Sequence, residues 1–263
     1  MLKLTSRENP QIKRLSALLS SRREREESGL FVAEGLRICT DAAASGIGIE
    51  AAYFTPAIQA RFPRQCRQIQ AAAKQSYELG EHLKIGDTKT PQGIFCLCRQ
   101  PLPGLPDQWP GRYVLLSSLQ DPGNVGTIIR TADALGLDGV ILSDDCPDLY
   151  SPKVIRATMG GIFTQPVYAA KNMANLIAEL RQAGVTVIAA ALDDHARPPA
   201  QTDFSAPCAV VLGNEGSGLT DEITALCDKT VMIPMARPGQ SLNAAIAATI
   251  LMWELTDTSR GAV

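Results

Sequence analysis

From residue 112 onwards, uniformly apolar segments of four or five residues alternate with longer amphipathic segments. The apolar segments predict strands at Tyr113–Ser117, Gly139–Leu142, Val185–Ala189, Ala209–Leu212 and Thr230–Ile233. The longer segments predict helices at Val125–Leu135 and Met173–Ala183 and a final helix from about Asn243 to Leu255. Apolar strands that alternate with helices are typical of a parallel sheet covered on both faces. The sequence therefore predicts an α/β fold for this part of the chain.

The first hundred residues follow a less regular pattern. It predicts a basic amphipathic helix at Asn9–Ser20 and a strand at Leu30–Glu34 that runs into a helix near Arg37–Ala44. The next segment, Arg99–Gly111, holds four prolines and two glycines, and because proline fixes φ and lacks an N–H, it predicts a linker. A length of 263 residues also favours two domains. We predict a smaller domain at residues 1–98, a linker at 99–111 and a second domain at 112–263.

Composition excludes a disordered or fibrous chain, because 45% of residues are hydrophobic and 20% are charged. The net charge of -2 does not by itself indicate a nucleic-acid partner, but residues 1–110 carry a net +4 and the remainder a net -6. In the first 25 residues the only acidic residues are Glu8 and Glu24, against seven cations: Lys3, Arg7, Lys13, Arg14, Arg22, Arg23 and Arg25. The amino-terminal region is therefore the candidate basic surface.

The seven cysteines are scattered without a CxxC pair, and His82 and His195 stand alone. Neither a disulfide framework nor a zinc site is expected, so we predict reduced, mostly buried thiols. The amino terminus lacks the apolar core of a signal peptide, and the longest apolar run, Ala244–Trp253, is about half a membrane span. These features together predict a cytoplasmic protein.

Polar and glycine-rich loops follow three of the predicted strands, where open α/β sheets bind ligands. The first loop, Asp121–Gly126, enters a helix whose apolar face is Val125, Ile128, Ile129, Ala132 and Leu135. Arg130 points away from that face. One interpretation is a surface arginine that pairs with Asp133, and the other is an arginine aimed at a phosphate or hydroxyl beside the loop.

The second loop, Gly213–Gly218, places three glycines in six residues after an apolar strand. Such a loop lets a ligand approach the backbone closely, although the same pattern also fits a simple tight turn. It lacks the spacing of a dinucleotide fingerprint or a P-loop. An ordinary Rossmann-type methyltransferase is disfavoured because this loop comes late in the domain rather than after its first strand.

The third loop, Ile233–Asn243, leads into a helix that is small and apolar on all sides. Ser241 or Asn243 could simply cap that helix. A helix of this kind must be buried on several sides, either within the domain or against a second subunit.

The three loops in this order resemble the motifs of the SpoU (TrmH-type) RNA 2'-O-ribose methyltransferases of the SPOUT superfamily. The resemblance extends over the whole chain. Residues 151–156 with Gly160 and Gly161 resemble the helix between the motifs, and residues 31–37 and 87–93 are similar to the family's amino-terminal domain. The family commonly has a glycine and a glutamate where this chain has Arg237 and Gln240, so the glutamate's role does not carry over.

The resemblance implies a SPOUT trefoil-knotted catalytic domain, a smaller L30e-like α/β domain that binds RNA, and S-adenosylmethionine as the methyl donor. It places the donor near seven residues: Gly213, Ile233, Leu242, Ala190, Leu212, Gly218 and Met235. It assigns the chemistry to Arg130, Asn124, Glu215, Ser241 and Asn243, without a metal. It also implies a homodimer, for which the final helix offers Ile246, Ile250 and Trp253.

The reaction implied is methyl transfer to a ribose 2'-OH, with ribosomal RNA favoured over transfer RNA. Arginine is a poor base because its pKa is above about 12, so Arg130 is better suited to holding a phosphate and stabilising a developing alkoxide. Glu215 is the nearest carboxylate that could accept the proton. Two alternatives stay open: a catalytically silent RNA-binding factor and a tRNA 2'-O-methyltransferase.

Overall fold

The computed structural model describes residues 1–83, 85–86, 91–101, 103–193, 196–205, 207–237 and 240–257. The strands are β1 (Leu2–Leu4), β2 (Leu30–Glu34), β3 (Ile49–Phe54), β4 (Ser76–Leu79), β5 (Ile94–Arg99), β6 (Arg112–Leu116), β7 (Gly139–Ser143), β8 (Val167–Ala170), β9 (Thr186–Ala190), β10 (Cys208–Leu212) and β11 (Lys229–Val231). The helices are α1 (Pro10–Ser20), α2 (Arg22–Ser28), α3 (Leu36–Ser45), α4 (Pro56–Arg61), α5 (Pro63–Ala72), α6 (Pro122–Leu135), α7 (Pro152–Thr158), α8 (Met173–Gln182), α9 (Asp221–Leu226) and α10 (Ala244–Asp257).

The described residues form two compact units. The first contains those within 1–101 and 148–164, and the second those within 102–147 and 165–263. The observed units differ most clearly from the predicted division (1–98, 99–111 and 112–263) at residues 148–164. The prediction includes this segment in the second domain, whereas it belongs to the first unit. Arg99 belongs to strand β5 rather than to the linker, and Trp109 is 8% exposed and packs edge-on against Tyr113. The linker prediction is therefore wrong at Arg99, whereas Trp109 lies in irregular backbone as predicted.

The first unit contains a mixed five-stranded sheet with the order β1-β4-β3-β5-β2. β5 runs antiparallel to both β2 and β3, and the remaining neighbours are parallel. Phe31, Tyr53 and Phe54 are fully buried in its core. The predicted amino-terminal helix is confirmed as α1, which Asn9 caps by accepting a hydrogen bond from the N–H of Gln11.

Segment 148–164 belongs to the first unit because of specific side-chain contacts. The Arg25 guanidinium is nearly fully buried, and its Nη2 lies 2.6 Å from Oδ2 of Asp148. The ring centroids of Phe31 and Tyr150 are 5.0 Å apart. Burying a charge is costly unless it is paired, so this ion pair fixes how the segment sits in the unit. α7, the helix predicted between the motifs, therefore packs in the first unit.

The second unit contains a six-stranded sheet, all parallel, with the order β11-β9-β10-β6-β7-β8. This confirms the predicted α/β class and, within a few residues, the predicted strands and helices. Ile233 is an exception, because β11 ends at Val231 and leaves Ile233 in the following loop. Strand β8, at the sheet edge, was not predicted. The trefoil knot stays a prediction.

The seven cysteines are free thiols, as predicted, with six buried and Cys227 half-buried. Within the described ranges, no His, Cys, Asp and Glu side chains gather in a group that could hold a metal ion. None of the helices in the described part of the chain has the length and apolarity needed to cross a membrane.

Candidate functional site

A cavity of about 1070 Å³ lies in the second unit at the carboxyl ends of β9, β10 and β11. It is lined by all seven residues that were predicted to contact the methyl donor: Ala190, Leu212, Gly213, Gly218, Ile233, Met235 and Leu242. Glu215 and Ser241 also line it, whereas Asn124, Arg130 and Asn243 do not. Of the three loops, the second and third therefore line this cavity, and the first does not.

The second loop folds back on itself so tightly that its first residue must be glycine. The N–H of Asn214 donates to the carbonyl of Gly218 at 3.0 Å, and the reverse bond measures 2.9 Å. A Cβ on Gly213 would lie 2.2 Å from the carbonyl carbon of Gly218, a backbone atom. The tight turn is therefore confirmed, and because the loop also lines the cavity, its contact with a ligand stays a prediction.

Asn214, which sequence reasoning missed, connects the second loop to the first. Its Oδ1 accepts hydrogen bonds from the N–H groups of Gly216 and Ser217, and its Nδ2 donates to the carbonyl of Ser118 at 2.9 Å. An Asn that bonds to the backbone two residues ahead is a recognisable turn signal, and its place two residues before Gly216 could have identified it.

Glu215 of the second loop accepts hydrogen bonds from residues at the start of α6. Its Oε1 accepts from the N–H of Asp121 at 3.0 Å and from Nδ2 of Asn124 at 2.9 Å, and its Oε2 accepts from the N–H of Gln120 at 2.9 Å. Burial acts to raise the pKa of Glu215, but these hydrogen bonds outweigh it and hold the pKa below its ordinary value of 4.5. Glu215 is therefore an ionised acceptor and a weak base at neutral pH.

Two asparagines continue this connection to the last helix. Nδ2 of Asn243 donates to Oδ1 of Asn124 at 2.9 Å, and Oδ1 of Asn243 accepts from the N–H of Ala245 at 2.9 Å. Asn243 therefore caps α10 and also bonds to Asn124, and its part in the reaction stays a prediction. Asn124 is buried, and both ends of its amide are committed.

Ser118 turns the chain from β6 into the first loop in a left-handed conformation, with φ 60°. Its hydroxyl donates to Asp145, and its N–H donates to Oγ of Ser143 at 2.9 Å. Serine is uncommon in this region of φ, so it needs surrounding bonds to hold it there. Sequence reasoning missed Ser118 and Asp145, since no residue pattern marks a serine for a positive φ.

Arg130 is exposed on α6, and the expected apolar face of that helix is buried apart from the half-buried Leu135. No ion pair joins Arg130 to Asp133, although the structure describes both residues. The interpretation of Arg130 as half of a surface pair is therefore wrong, and its guanidinium is available to a ligand.

In the third loop, Arg237 and Gln240 are exposed, and Gln240 lines the cavity. Gly239 of the same loop lies outside the described residues, as do residues 87–90 of the amino-terminal motif. Ser241 is exposed at the cavity, and no hydrogen bond joins its hydroxyl to another described residue.

The cavity suits a nucleoside joined to a cationic group such as the sulfonium of S-adenosylmethionine. Its apolar wall includes Leu212, Ile233 and Leu242. Asp193, Glu215 and Asp221 also line it, whereas the described lining residues include no lysine or arginine. A volume of about 1070 Å³ is ample for a ligand of this size.

Comparison with known proteins identifies a family for both parts of the chain. The SpoU rRNA Methylase family matches residues 111–253, and the MRM3-like substrate binding domain matches residues 9–96.

Two similar proteins have names that state an activity. The Bacillus subtilis 23S rRNA (guanosine(2553)-2'-O)-methyltransferase RlmP is 33% identical over 97% of this chain and 99% of its own length. The Streptomyces viridochromogenes 23S rRNA (uridine(2479)-2'-O)-methyltransferase is 32% identical over 96% of this chain and 91% of its own length. A solved structure of an AdoMet-bound rRNA methyltransferase from Sinorhizobium meliloti matches with a TM-score of 0.83 and 32% identity, over 99% of this chain and 98% of that one.

Proposed function

The chain belongs to the SpoU rRNA methylase family, and from this premise we propose that it transfers a methyl group from S-adenosylmethionine to a ribose 2'-OH of ribosomal RNA. The observation that carries the proposal is the cavity, because the second and third loops of the family pattern line it together. Two of the relatives that match nearly the whole chain are named as 23S rRNA 2'-O-methyltransferases, which favours ribosomal over transfer RNA.

The residues that would hold the methyl donor act mainly through shape and backbone. Gly213 and Gly218 provide a surface without Cβ atoms, and Leu212, Ile233 and Leu242 provide an apolar wall. Ala190 and Met235 extend that wall. The bound sulfonium supplies an electrophilic methyl group, so the protein's own tasks are to orient the ribose and to deprotonate or stabilise its hydroxyl.

Arg130 is the residue we assign to the RNA side of the reaction. Its guanidinium stays protonated and can hold a phosphate bidentately, and it can stabilise the negative charge that develops on the 2'-oxygen. It forms no ion pair with Asp133 and is exposed on α6, so it need not break that pair before contacting RNA. Ser241 offers a hydroxyl at the cavity for contact with the ribose or the donor.

Glu215 is better understood as a positioning residue than as the proton acceptor. Three hydrogen bonds to its carboxylate stabilise the charged form and hold its pKa low, which weakens it as a base. The same bonds orient Asn124, whose Oδ1 then receives Asn243. The network therefore connects the first and second loops to the start of α10.

The test of this function uses purified protein, S-adenosylmethionine and deproteinised bacterial ribosomal RNA. Arg130→Ala should lower turnover by about a hundredfold to a thousandfold, the effect of losing a donor that stabilises a developing anion, while calorimetry shows nearly intact donor binding. Full activity of Arg130→Ala would refute its assigned role. Donor binding without methylation of any RNA would favour the catalytically silent RNA-binding factor, and methylation of transfer RNA alone would favour the second alternative.

We also propose a homodimer through α10. Ile246 and Trp253 are 53% and 45% exposed, and with Ile250 they follow helical spacing along one face. An exposed apolar stripe on a helix is typical of an interface. Sedimentation should give a dimer for the wild type and a monomer for Trp253→Glu, and a wild-type monomer would contradict the proposal. The cytoplasmic location stays a proposal, and cell fractionation tests it.

A further inference from the structure

The basic amino-terminal region is largely neutralised by its own carboxylates. Five of its seven cations form ion pairs, which are Lys3–Glu78, Lys13–Glu8, Arg22–Glu26, Arg23–Glu27 and Arg25–Asp148. Four of these acidic partners lie outside residues 1–25, so the charge count over that window overstated the free positive charge. Arg7 and Arg14 are the two without a carboxylate partner in the described part of the chain.

A second group of cations in the same unit is not neutralised by carboxylates of the described residues. Residues 51–77 contain four basic residues and no acidic one, and three of the four are Arg61, Arg64 and Arg67. All three are exposed, and none has a carboxylate partner among the described residues. Positive charge that is both exposed and unneutralised is therefore concentrated at the end of α4 and on α5.

Helical spacing places these side chains on one surface. Arg64, Arg67 and Gln68 follow i, i+3, i+4 spacing and are exposed, whereas Cys66 and Ile69 on the opposite side are buried in the unit. The Arg61 guanidinium lies 5.1 Å from the centre of the Phe62 ring, which holds it beside the start of α5. We call Arg61, Arg64, Arg67 and Gln68 the α5 face.

The charge on this face is unfavourable for the protein alone. Arg64 lies in the first turn of α5, which contains no acidic residue, and the positive end of the helix dipole repels a cation there. A phosphate group bound between the arginines would reverse that penalty, because it is attracted by both the guanidinium groups and the helix terminus.

We propose that the α5 face binds the phosphate backbone of the RNA substrate. This inference rests on the proposed function, since it assumes an RNA ligand, and it names the surface that holds it. Arginine forks suit phosphate oxygens, and glutamine can donate to phosphate or to a ribose hydroxyl. Recognition of this kind reads the shape and charge of folded RNA rather than its sequence.

The experiment compares two triple variants that remove the same charge from the full-length protein. One is Arg61→Gln/Arg64→Gln/Arg67→Gln on the α5 face, and the matched control is Lys13→Gln/Arg22→Gln/Arg23→Gln among the paired cations. The affinity for deproteinised bacterial large-subunit ribosomal RNA is measured by filter binding at several KCl concentrations, and the affinity for S-adenosylmethionine by calorimetry.

Each lost phosphate contact should reduce the slope of log K against log salt by about 0.7–0.9. The α5-face variant should therefore bind RNA at least about tenfold more weakly near 0.1 M salt, with a slope reduced by about 2 and unchanged donor affinity. The control should keep the wild-type slope. A wild-type slope in the α5-face variant, or an equal loss of slope in the control, overturns the inference.

The two proposals fail in different ways. Methylation of ribosomal RNA by the wild type with an unaltered slope in the α5-face variant refutes only the α5 face. A wild type that neither binds nor methylates RNA refutes the proposed function and the α5 face together. Thermal unfolding of all three proteins checks that a loss of RNA binding does not result from unfolding.

Discussion

The cavity of the second unit and the α5 face of the first are built from different parts of the chain. The cavity depends on backbone at fixed positions, since a Cβ on Gly213 would meet a backbone atom at 2.2 Å. The α5 face depends on long, exposed arginine side chains that have no carboxylate partner among the described residues, and Phe62 lies beside Arg61. A shape-based site should therefore fail after one small substitution, whereas a charge-based surface should weaken in steps with each lost cation.

The largest effect is expected from Gly213→Ala, which tests whether donor binding depends on the shape of the backbone. One methyl group must displace the backbone at Gly218, and overpacking of this kind costs about 1–3 kcal/mol or more. The dissociation constant for S-adenosylmethionine should rise by about a hundredfold, measured by calorimetry. The matched control is Gly184→Ala, which has open space around the added carbon although its positive φ adds strain. Normal donor binding by Gly213→Ala would contradict a backbone-shaped site.

A second substitution, Glu215→Gln, separates positioning from proton transfer. The amide cannot accept all three hydrogen bonds as well as the carboxylate does, so kcat should fall by about thirtyfold while the shape of its pH profile persists. Glu222→Gln, an exposed position in the first turn of α9, should retain activity. Residual activity whose profile has lost the acidic limb seen in the wild type would instead make Glu215 the base.

A smaller effect is expected at Ser118, where the comparison of alanine with glycine isolates backbone conformation. Ser118→Ala loses the bond to Asp145 and keeps the strain of a positive φ, so kcat should fall about tenfold. Ser118→Gly adopts that conformation freely and should stay within about twofold of the wild type. Asp145→Asn should therefore lower kcat in the wild-type background, where Ser118 is present, and change kcat little in the Ser118→Gly background. Equal activities of Ser118→Ala and Ser118→Gly would contradict this role.

The smallest effect is expected in the pH dependence of thermal stability. The folded-state pKa of Glu215 is below 4.5, so its ionised form stabilises the fold above the unfolded-state pKa, and this contribution is lost as pH falls through the folded-state pKa. The Tm of the wild type should exceed that of Glu215→Gln by no more than about 2 °C near pH 7, because solvent screens a partly exposed carboxylate. The difference should disappear in strong acid. A difference that grows in acid would contradict the direction of the pKa shift.

The same contrast explains what could be predicted from the sequence. The residues of the cavity wall were named through the resemblance to the SpoU family, because three loops in a fixed order matched its motifs, whereas the glycine loop alone also fitted a simple tight turn. Ser118 and Asp145 were missed because a positive φ in a serine has no sequence signature. The segment 148–164 was assigned to the wrong part of the chain because the Arg25–Asp148 pair connects residues 123 positions apart. The α5 face was missed because pairing partners are visible only in three dimensions.

Nucleoside mass spectrometry determines whether the protein methylates a ribose 2'-OH of ribosomal RNA. Deproteinised bacterial ribosomal RNA is incubated with S-adenosylmethionine and either the wild type or Arg130→Ala, digested to nucleosides and analysed. The wild type should produce a new 2'-O-methylated nucleoside, and Arg130→Ala should give a yield at least about a hundredfold lower. A new methyl group on a base, or equal yields from the two proteins, would contradict the proposed function.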